Sequence, residues 1–347
     1  MNTPPKRLPL SVIIPTCNQS AQIPAHLTSL DRWLDLAQDV AVVDAYSADG
    51  TIELLRSGLF HRRSQFFQQS LGFHSAINFG VSQLEGKFIY VSRPGDAISR
   101  DGILHLVETA QRLGSDVLLS PPSEEPATGD DATGTTAKTR ARWPVEQMLA
   151  ATPPAGPRLL RRTSAFYLAL ANTLGGRFQS LLGGISCDLF RADTLRARPF
   201  PEGAGQAGDA LWVLQHGLDI AFGVTPQACA SFYPEADEIS KREQADLRHS
   251  KAQAPTLASE SIAAALRESG AADAEDLMGL QRYLRETRAL IEARGSLKRF
   301  RQQDILWFLR PAAWRARAAA TRHRRDWHSA EAWLRQRPLW HERNRAG

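Results

Sequence analysis

The stretch GFHSAINFGVSQLEGKFIYVSRPGD, residues 72–96, decides the fold. Its second half holds the apolar run Phe88, Ile89, Tyr90 and Val91, which reads as a buried strand. That strand ends at Arg93-Pro94-Gly95-Asp96, because Pro and Gly force a turn and end ladder pairing. Similar short runs rich in β-branched residues occur at 10–15 (LSVIIP), 39–44 (DVAVVD), 64–67 (SQFF) and 116–119 (DVLL). Between them lie segments of helical spacing, such as Ile23, Leu27, Leu30 and Leu34, or Ile103, Leu106, Val107 and Ala110. Strands alternating with helices predict a mostly parallel, Rossmann-like α/β sheet with helices on both faces. Continuous apolar strands fit burial from both sides.

Working outward, residues 121–142 (PPSEEPATGDDATGTTAKTRAR) are too polar to offset their ordering entropy and read as a flexible loop. Beyond them the pattern predicts a helix near 163–182, a strand at 186–190, a helix from about 208, and strands near 219–224 and 229–233. From about 240 the sequence reads as helical. The expected division is an α/β domain over 1–240 and a helical, basic extension over 241–347.

Of the 347 residues, 43% are hydrophobic and 23% charged, as in an ordinary globular protein. Cys17, Cys187 and Cys229 show neither metal-ligand spacing nor a disulfide framework, which suggests a reducing cytoplasm. The apolar run after the N-terminus is too short for a signal peptide, and SAFYLALANTLGG from Ser164 is too short to span a bilayer. The net charge of +5 is uneven: residues 294–345 carry 14 Lys+Arg against 4 Asp+Glu, which leaves −5 for the rest.

In open parallel sheets ligands sit beyond the carboxyl ends of the strands. Those ends are Pro15-Thr16-Cys17-Asn18, Asp44-Ala45-Tyr46-Ser47-Ala48-Asp49-Gly50-Thr51 and Arg93-Pro94-Gly95-Asp96. No GxGxxG and no GxxxxGK[ST] is present, which argues against a dinucleotide dehydrogenase and a P-loop NTPase. Without a Gly/Arg/Lys-rich loop after the first strand, a nucleotidyltransferase is also disfavoured.

SVIIPTCNQSAQIPAHLTSL, VAVVDAYSADGTIELL and the quoted stretch, in this order, resemble family 2 glycosyltransferases of the GT-A fold. The resemblance covers residues 9–120 well and 183–235 loosely. It implies a nucleotide-sugar donor and a glycan or lipid-linked acceptor, in polysaccharide biosynthesis. By the same carry-over Pro15, Thr16 and Asn18 line base and ribose, and Asp44 accepts from a pyrimidine N–H or a ribose hydroxyl. Ser47 and Asn78 join this donor set. Bland readings stand beside these: Asp44 or Ser47 as a cap on the helix near Asp49, and Asn18 as a turn residue.

The sequence also departs from the family pattern. Ala45 stands where a second carboxylate is usual, Ile77 and Ser75 where Arg or Asp is frequent, and Gly208 where Glu is common. The acidic Asp-x-Asp motif aligns with Arg93-Pro94-Gly95, leaving Asp96 as the ligand for a divalent metal, Mg²⁺ or Mn²⁺. Arg93 either pairs with the donor diphosphate in place of the metal's charge, turns to solvent, or pairs with a neighbouring carboxylate. An inverting transfer also needs a general base. In EGAGQAGDALWVLQHG that candidate is Asp209, while Asp188 reads as a residue inside an apolar strand and Asp193 as a helix opener. His74, His105 and His216 read as packing or surface residues.

Five of the eight Trp fall between 307 and 340, interleaved with Arg. Two readings stay open for this tail: a segment lying on an anionic membrane at the cytoplasmic face, or helices packed back on the α/β domain. Nucleic acid is a weaker partner, since no recognised module accompanies the charge. A competing functional class is a degenerate family member that binds a nucleotide sugar, glycan or protein without catalysis.

Overall fold

The computed structural model describes residues 7–59, 63–70, 72–123, 144–174, 179–182, 184–231, 247–303 and 311–341. The loop expected at 121–142 therefore lies almost wholly outside the described residues, as does Trp307.

Strands β1 (Leu10–Thr16), β2 (Asp39–Asp44), β3 (Ser64–Gln68) and β4 (Phe88–Val91) pair in parallel in the order β3-β2-β1-β4. Helices α1 (Ile23–Leu30), α2 (Thr51–Gly58) and α3 (Phe73–Gln83) make the crossovers. Every residue of β1, β2 and β4 is buried, as continuous apolar runs require of strands covered on both faces. The direction of winding reverses between β1 and β4, so the crevice of an open α/β sheet falls there.

After β4 come a two-residue strand β5 (Ala97–Ile98) and helix α4 (Arg100–Leu113). Helix α4 starts at Ser99, whose Oγ accepts from Gly102 N at 3.0 Å, and stops at Gly114 in the left-handed region. The second half of the sheet holds β6 (Val117–Leu119), β7 (Arg158–Leu159), β8 (Leu189–Arg191) and β9 (Phe222–Val224), with helices α5 (Pro144–Ala151), α6 (Arg162–Leu174), α7 (Ala192–Ala197) and α8 (Gly208–His216) between them. The short strand β8 is antiparallel to both β4 and β6, and β7 is antiparallel to β9, so the sheet of eight is mixed but mostly parallel. Strand β10 (Ala230–Ser231) closes on β5 in a small separate pair. Helix α6 is described over Arg162–Leu174, residues 179–182 of the expected helix are not helical, and β9 begins at Phe222 rather than 219.

The helical tail is three long helices, α9 (Leu247–Glu268), α10 (Ala271–Gln303) and α11 (Pro311–Arg335). Ala254, Ala258, Ile262, Leu277, Leu280, Tyr283, Leu284, Ala330 and Leu334 share one apolar core with Ile13, Val91 and Phe190 of the sheet. Trp327, Trp333 and Trp340 pack against that core, whereas Trp314 stands 64% exposed. The packed-back reading of the tail thus accounts for three of its aromatic residues. Among the described residues no helix is long and apolar enough to cross a membrane. Cys17, Cys187 and Cys229 are buried in the fold and form no disulfide.

The Asn78-x-Gly80 motif turns out to be a packing device. A Cβ at Gly80 would stand 2.9 Å from the Ile13 side chain, so glycine lets α3 lie close on β1. Asn78 donates from Nδ2 to the Phe200 carbonyl at 2.8 Å and accepts from Phe200 N at 2.9 Å. Its amide is thereby committed to holding the chain before α8.

Candidate functional site

The carboxyl ends of β1, β2 and β4 form one edge. At the first two, a polar network shapes the loop. Asp44 is fully buried and accepts from Ser47 Oγ at 2.5 Å, Ser47 N at 3.0 Å and Gln68 Nε2 at 3.3 Å. Ser47 Oγ in turn accepts from Asn18 N at 2.8 Å, and Asn18 Oδ1 accepts from Ala48 N at 2.9 Å. Asn18, Asp44 and Ser47 are thus brought together, with Thr16 beside them through Ala45 N, which donates to the Thr16 carbonyl at 2.8 Å. Pro15 lies in the middle of the ladder, opposite Val43. Neither Asp44 nor Ser47 caps α2. That task falls to Asp49, whose carboxylate accepts from Thr51 N and Ser20 N. Partial burial pushes the Asp49 carboxyl up, but these bonds and those from the Thr51 and Ser20 hydroxyls outweigh it and hold it at about 2.

The network leaves Tyr46 at φ +52° and 61% exposed. A bulky residue in the left-handed region is strained, and its ring here stands in solvent at the strand-end edge. Sequence reasoning passed over it because the signal is backbone geometry.

At the end of β4, Asp96 is 4% exposed and both of its oxygens face Arg93: Nε to Oδ2 is 3.2 Å and Nη2 to Oδ1 is 3.4 Å. Of the three fates open to Arg93, the turn takes pairing with a neighbouring carboxylate. This donor set does not fit a divalent cation. The turn has one carboxylate, and a guanidinium already covers both its oxygens. Glu286, His323 and Asp326 form the metal-capable group among the described residues, but they lie on the α10–α11 hairpin, where Glu286 already engages Arg285 and His323 at 3.1 Å. Buried His26 stands behind the turn, its Nε2 3.4 Å from Ser92 Oγ, and burial pushes it down to about 4, so it is neutral.

Asp209 sits half-buried in the first turn of α8. Burial pushes its carboxyl up to about 6, against the hydrogen bonds from Ala210 N and the Ser180 hydroxyl. A carboxylate near neutrality at an edge of this kind can take a proton in catalysis. Beside it, the space over Gly208 is filled. A Cβ at Gly208 would meet the His74 ring at 2.5 Å, and that ring is wedged against Phe73 and Phe200. Gly208→Ala is therefore expected to destabilise the fold by about 1–3 kcal/mol, read as a lowered midpoint of denaturant unfolding.

One residue contradicts its sequence reading. Asp188 is not inside a strand but immediately before β8, 1% exposed, at the same edge.

Residues 11–165 match the family described as glycosyl transferase family 2. Among solved structures, S. aureus TarS 1–349 in complex with UDP-GlcNAc is 16% identical, covers 94% of this chain and 91% of its own, and gives a TM-score of 0.50. Glucosyl-3-phosphoglycerate synthase from Mycobacterium tuberculosis, in complex with Mn²⁺, UDP and glucosyl-3-phosphoglycerate, is 15% identical over 74% of this chain and 80% of that one, with a TM-score of 0.45. The mannosyltransferase PcManGT from Pyrobaculum calidifontis, in complex with GDP-Man and Mn²⁺, is 14% identical over 96% and 88%, with a TM-score of 0.44. At such identity the TarS likeness shows a shared fold. The search of curated proteins gave no match.

Proposed function

We propose, from the match of residues 11–165 to glycosyl transferase family 2, that the chain moves a sugar from a nucleotide-diphospho sugar to a hydroxyl of a glycan or lipid-linked acceptor, with inversion, in polysaccharide assembly. The observation that carries this is Asp209, a half-buried carboxylate in the first turn of α8 that burial holds near neutrality.

In this reading the donor nucleoside lies over the network of Asn18, Asp44 and Ser47, with the Tyr46 ring as a stacking face for the base. The acceptor oxygen attacks the anomeric carbon as the bond to the diphosphate oxygen breaks. Asp209 takes the acceptor's proton as that bond forms. Negative charge grows on the leaving diphosphate, and the Arg93 guanidinium, oriented by Asp96, meets it with paired N–H donors. The exposed Trp314 and the exposed Arg315, Arg317, Arg322, Arg324 and Arg325 of α11 are the surface that an anionic bilayer at the cytoplasmic face would meet.

A second reading, binding of a nucleotide sugar without transfer, is favoured by the covered carboxylate of the β4 turn. A panel of UDP-, GDP- and dTDP-sugars separates the two when free nucleotide is measured with mixed glycan acceptors, with and without Mn²⁺. Nucleotide release supports the transferase. A donor that binds in calorimetry and is never turned over supports the binder.

A further inference from the structure

Asp188 has no part in the mechanism above, yet its position demands an explanation. Its Oδ1 accepts one long bond, from Ser120 N at 3.4 Å, and its buried Oδ2 has no hydrogen-bond partner. A carboxylate so placed is costly if charged and bare, so it must hold a proton or face another group.

The register shows which group. Leu189 pairs with Tyr90 of β4 and with Leu118 of β6, so Asp188 lies between the carboxyl ends of two parallel strands, beside the Arg93 turn. Side chains alternate along a strand, so Asp188 points to the same face as Phe190. On that face Phe190 packs against Trp212 of α8, with ring centroids 6.5 Å apart. Asp209 precedes Trp212 by three residues and so lies on the same side of the helix, one turn nearer its start. Both β8 and α8 run away from the ligand edge, since each is opposed to the parallel strands. Asp209 therefore stands over Asp188 as Trp212 stands over Phe190. In keeping with this placement, burial pushes Asp188 well above the usual carboxylate range against the bond from Ser120 N, and the charge of Asp209 adds to the push.

We propose that Asp188 is the partner carboxyl of Asp209: the pair holds one proton across the neutral range, and protonated Asp188 donates to the Asp209 carboxylate, fixing its orientation and its charge. Asp188 is then a positioning residue for the base. The inference rests on Asp209 being that base, but the pairing itself is testable without turnover.

The other ionisable groups around the pair do not supply this proton. Tyr90 donates its hydroxyl to the Ser186 carbonyl and is pushed far up by burial. His74, against Gly208, is pushed down to about 4 by burial and is neutral. Asp96 is paired with Arg93. Buried Cys187 and Cys229 are thiols, the latter pushed up to about 11 by burial.

The test is titration of carboxyl ¹³C signals in aspartate-labelled full-length protein, for wild type, Asp188→Ala and Asp188→Asn. Loss of the donor in Asp188→Ala is expected to raise the Asp209 midpoint by about one unit. Asp188→Asn, whose amide donates as the protonated carboxyl would, is expected to restore it to within about half a unit. A merely structural Asp188 would lower stability in both variants and leave the Asp209 midpoint in place. Equal midpoints in all three proteins, or equal shifts in the two variants, would overturn the pairing. If the shifts appear as expected but Asp209→Asn retains nucleotide release, the pairing stands and the base assignment fails.

Discussion

Asp209→Asn is expected to lower sugar transfer by about a thousandfold, within the range that a lost general base gives, while donor binding is retained. The same substitution is expected to raise thermal stability above neutrality. The Asp209 carboxyl lies at about 6 in the folded chain, raised by burial. A raised group contributes stability that is fully present below its unfolded value and is lost as pH rises through its folded value. At about pH 8 the ionised, poorly solvated carboxylate therefore costs up to about 3 kcal/mol, which the amide does not. Melting curves should show the variant above wild type at about pH 8, with the gap closing toward about pH 4. A turnover number unchanged by the substitution would remove Asp209 from the mechanism.

Arg93→Ala is expected to lower transfer by about 10²–10³-fold, because the charge that meets the departing diphosphate is gone. Chelation of divalent ions with EDTA should leave wild-type turnover within about twofold, since the turn offers a guanidinium where a metal would need open carboxylate oxygens. Arg93→Ala also deprives nearly buried Asp96 of its guanidinium, so a stability loss of a few kcal/mol should accompany the change. Arg93→Lys separates the two effects. It keeps the charge and much of the stability but lacks the planar fork, so activity recovers only in part. Loss of wild-type activity in EDTA, with Arg93→Ala near wild type, would give the charge back to a metal.

The half-sheet and its crossovers were legible because buried parallel strands and amphipathic helices impose their periods on the sequence. The Ser47, Asn18 and Asp44 cluster was legible as a group at the strand ends. Its wiring was not, because which residue caps α2 depends on loop geometry, and Asp49 outcompetes Ser47 there. Asn78 read as a ligand because its motif travels with the family, whereas its partner, Phe200, is 122 residues away. Asp188 was misread for a related reason. One acid in an apolar run carries no local signal, and its meaning arises only when an antiparallel strand and a later helix bring it beneath Asp209. The Trp and Arg of the tail gave two readings because composition does not say which side of a helix turns inward. The core contacts of Trp327 and Trp333 supply that direction, and exposed Trp314 keeps the outer surface in question.

The wedge of His74 against Gly208 also constrains how this chain can change. By the sequence resemblance, Glu is the expected residue at position 208. Here such a side chain would have to enter the volume of an imidazole already fixed between Phe73 and Phe200. A single substitution toward Glu is therefore blocked by sterics, whatever its chemical benefit. Only a smaller residue at 74, acquired first, opens the way. Substitutions at the two positions are therefore expected to be coupled, not additive.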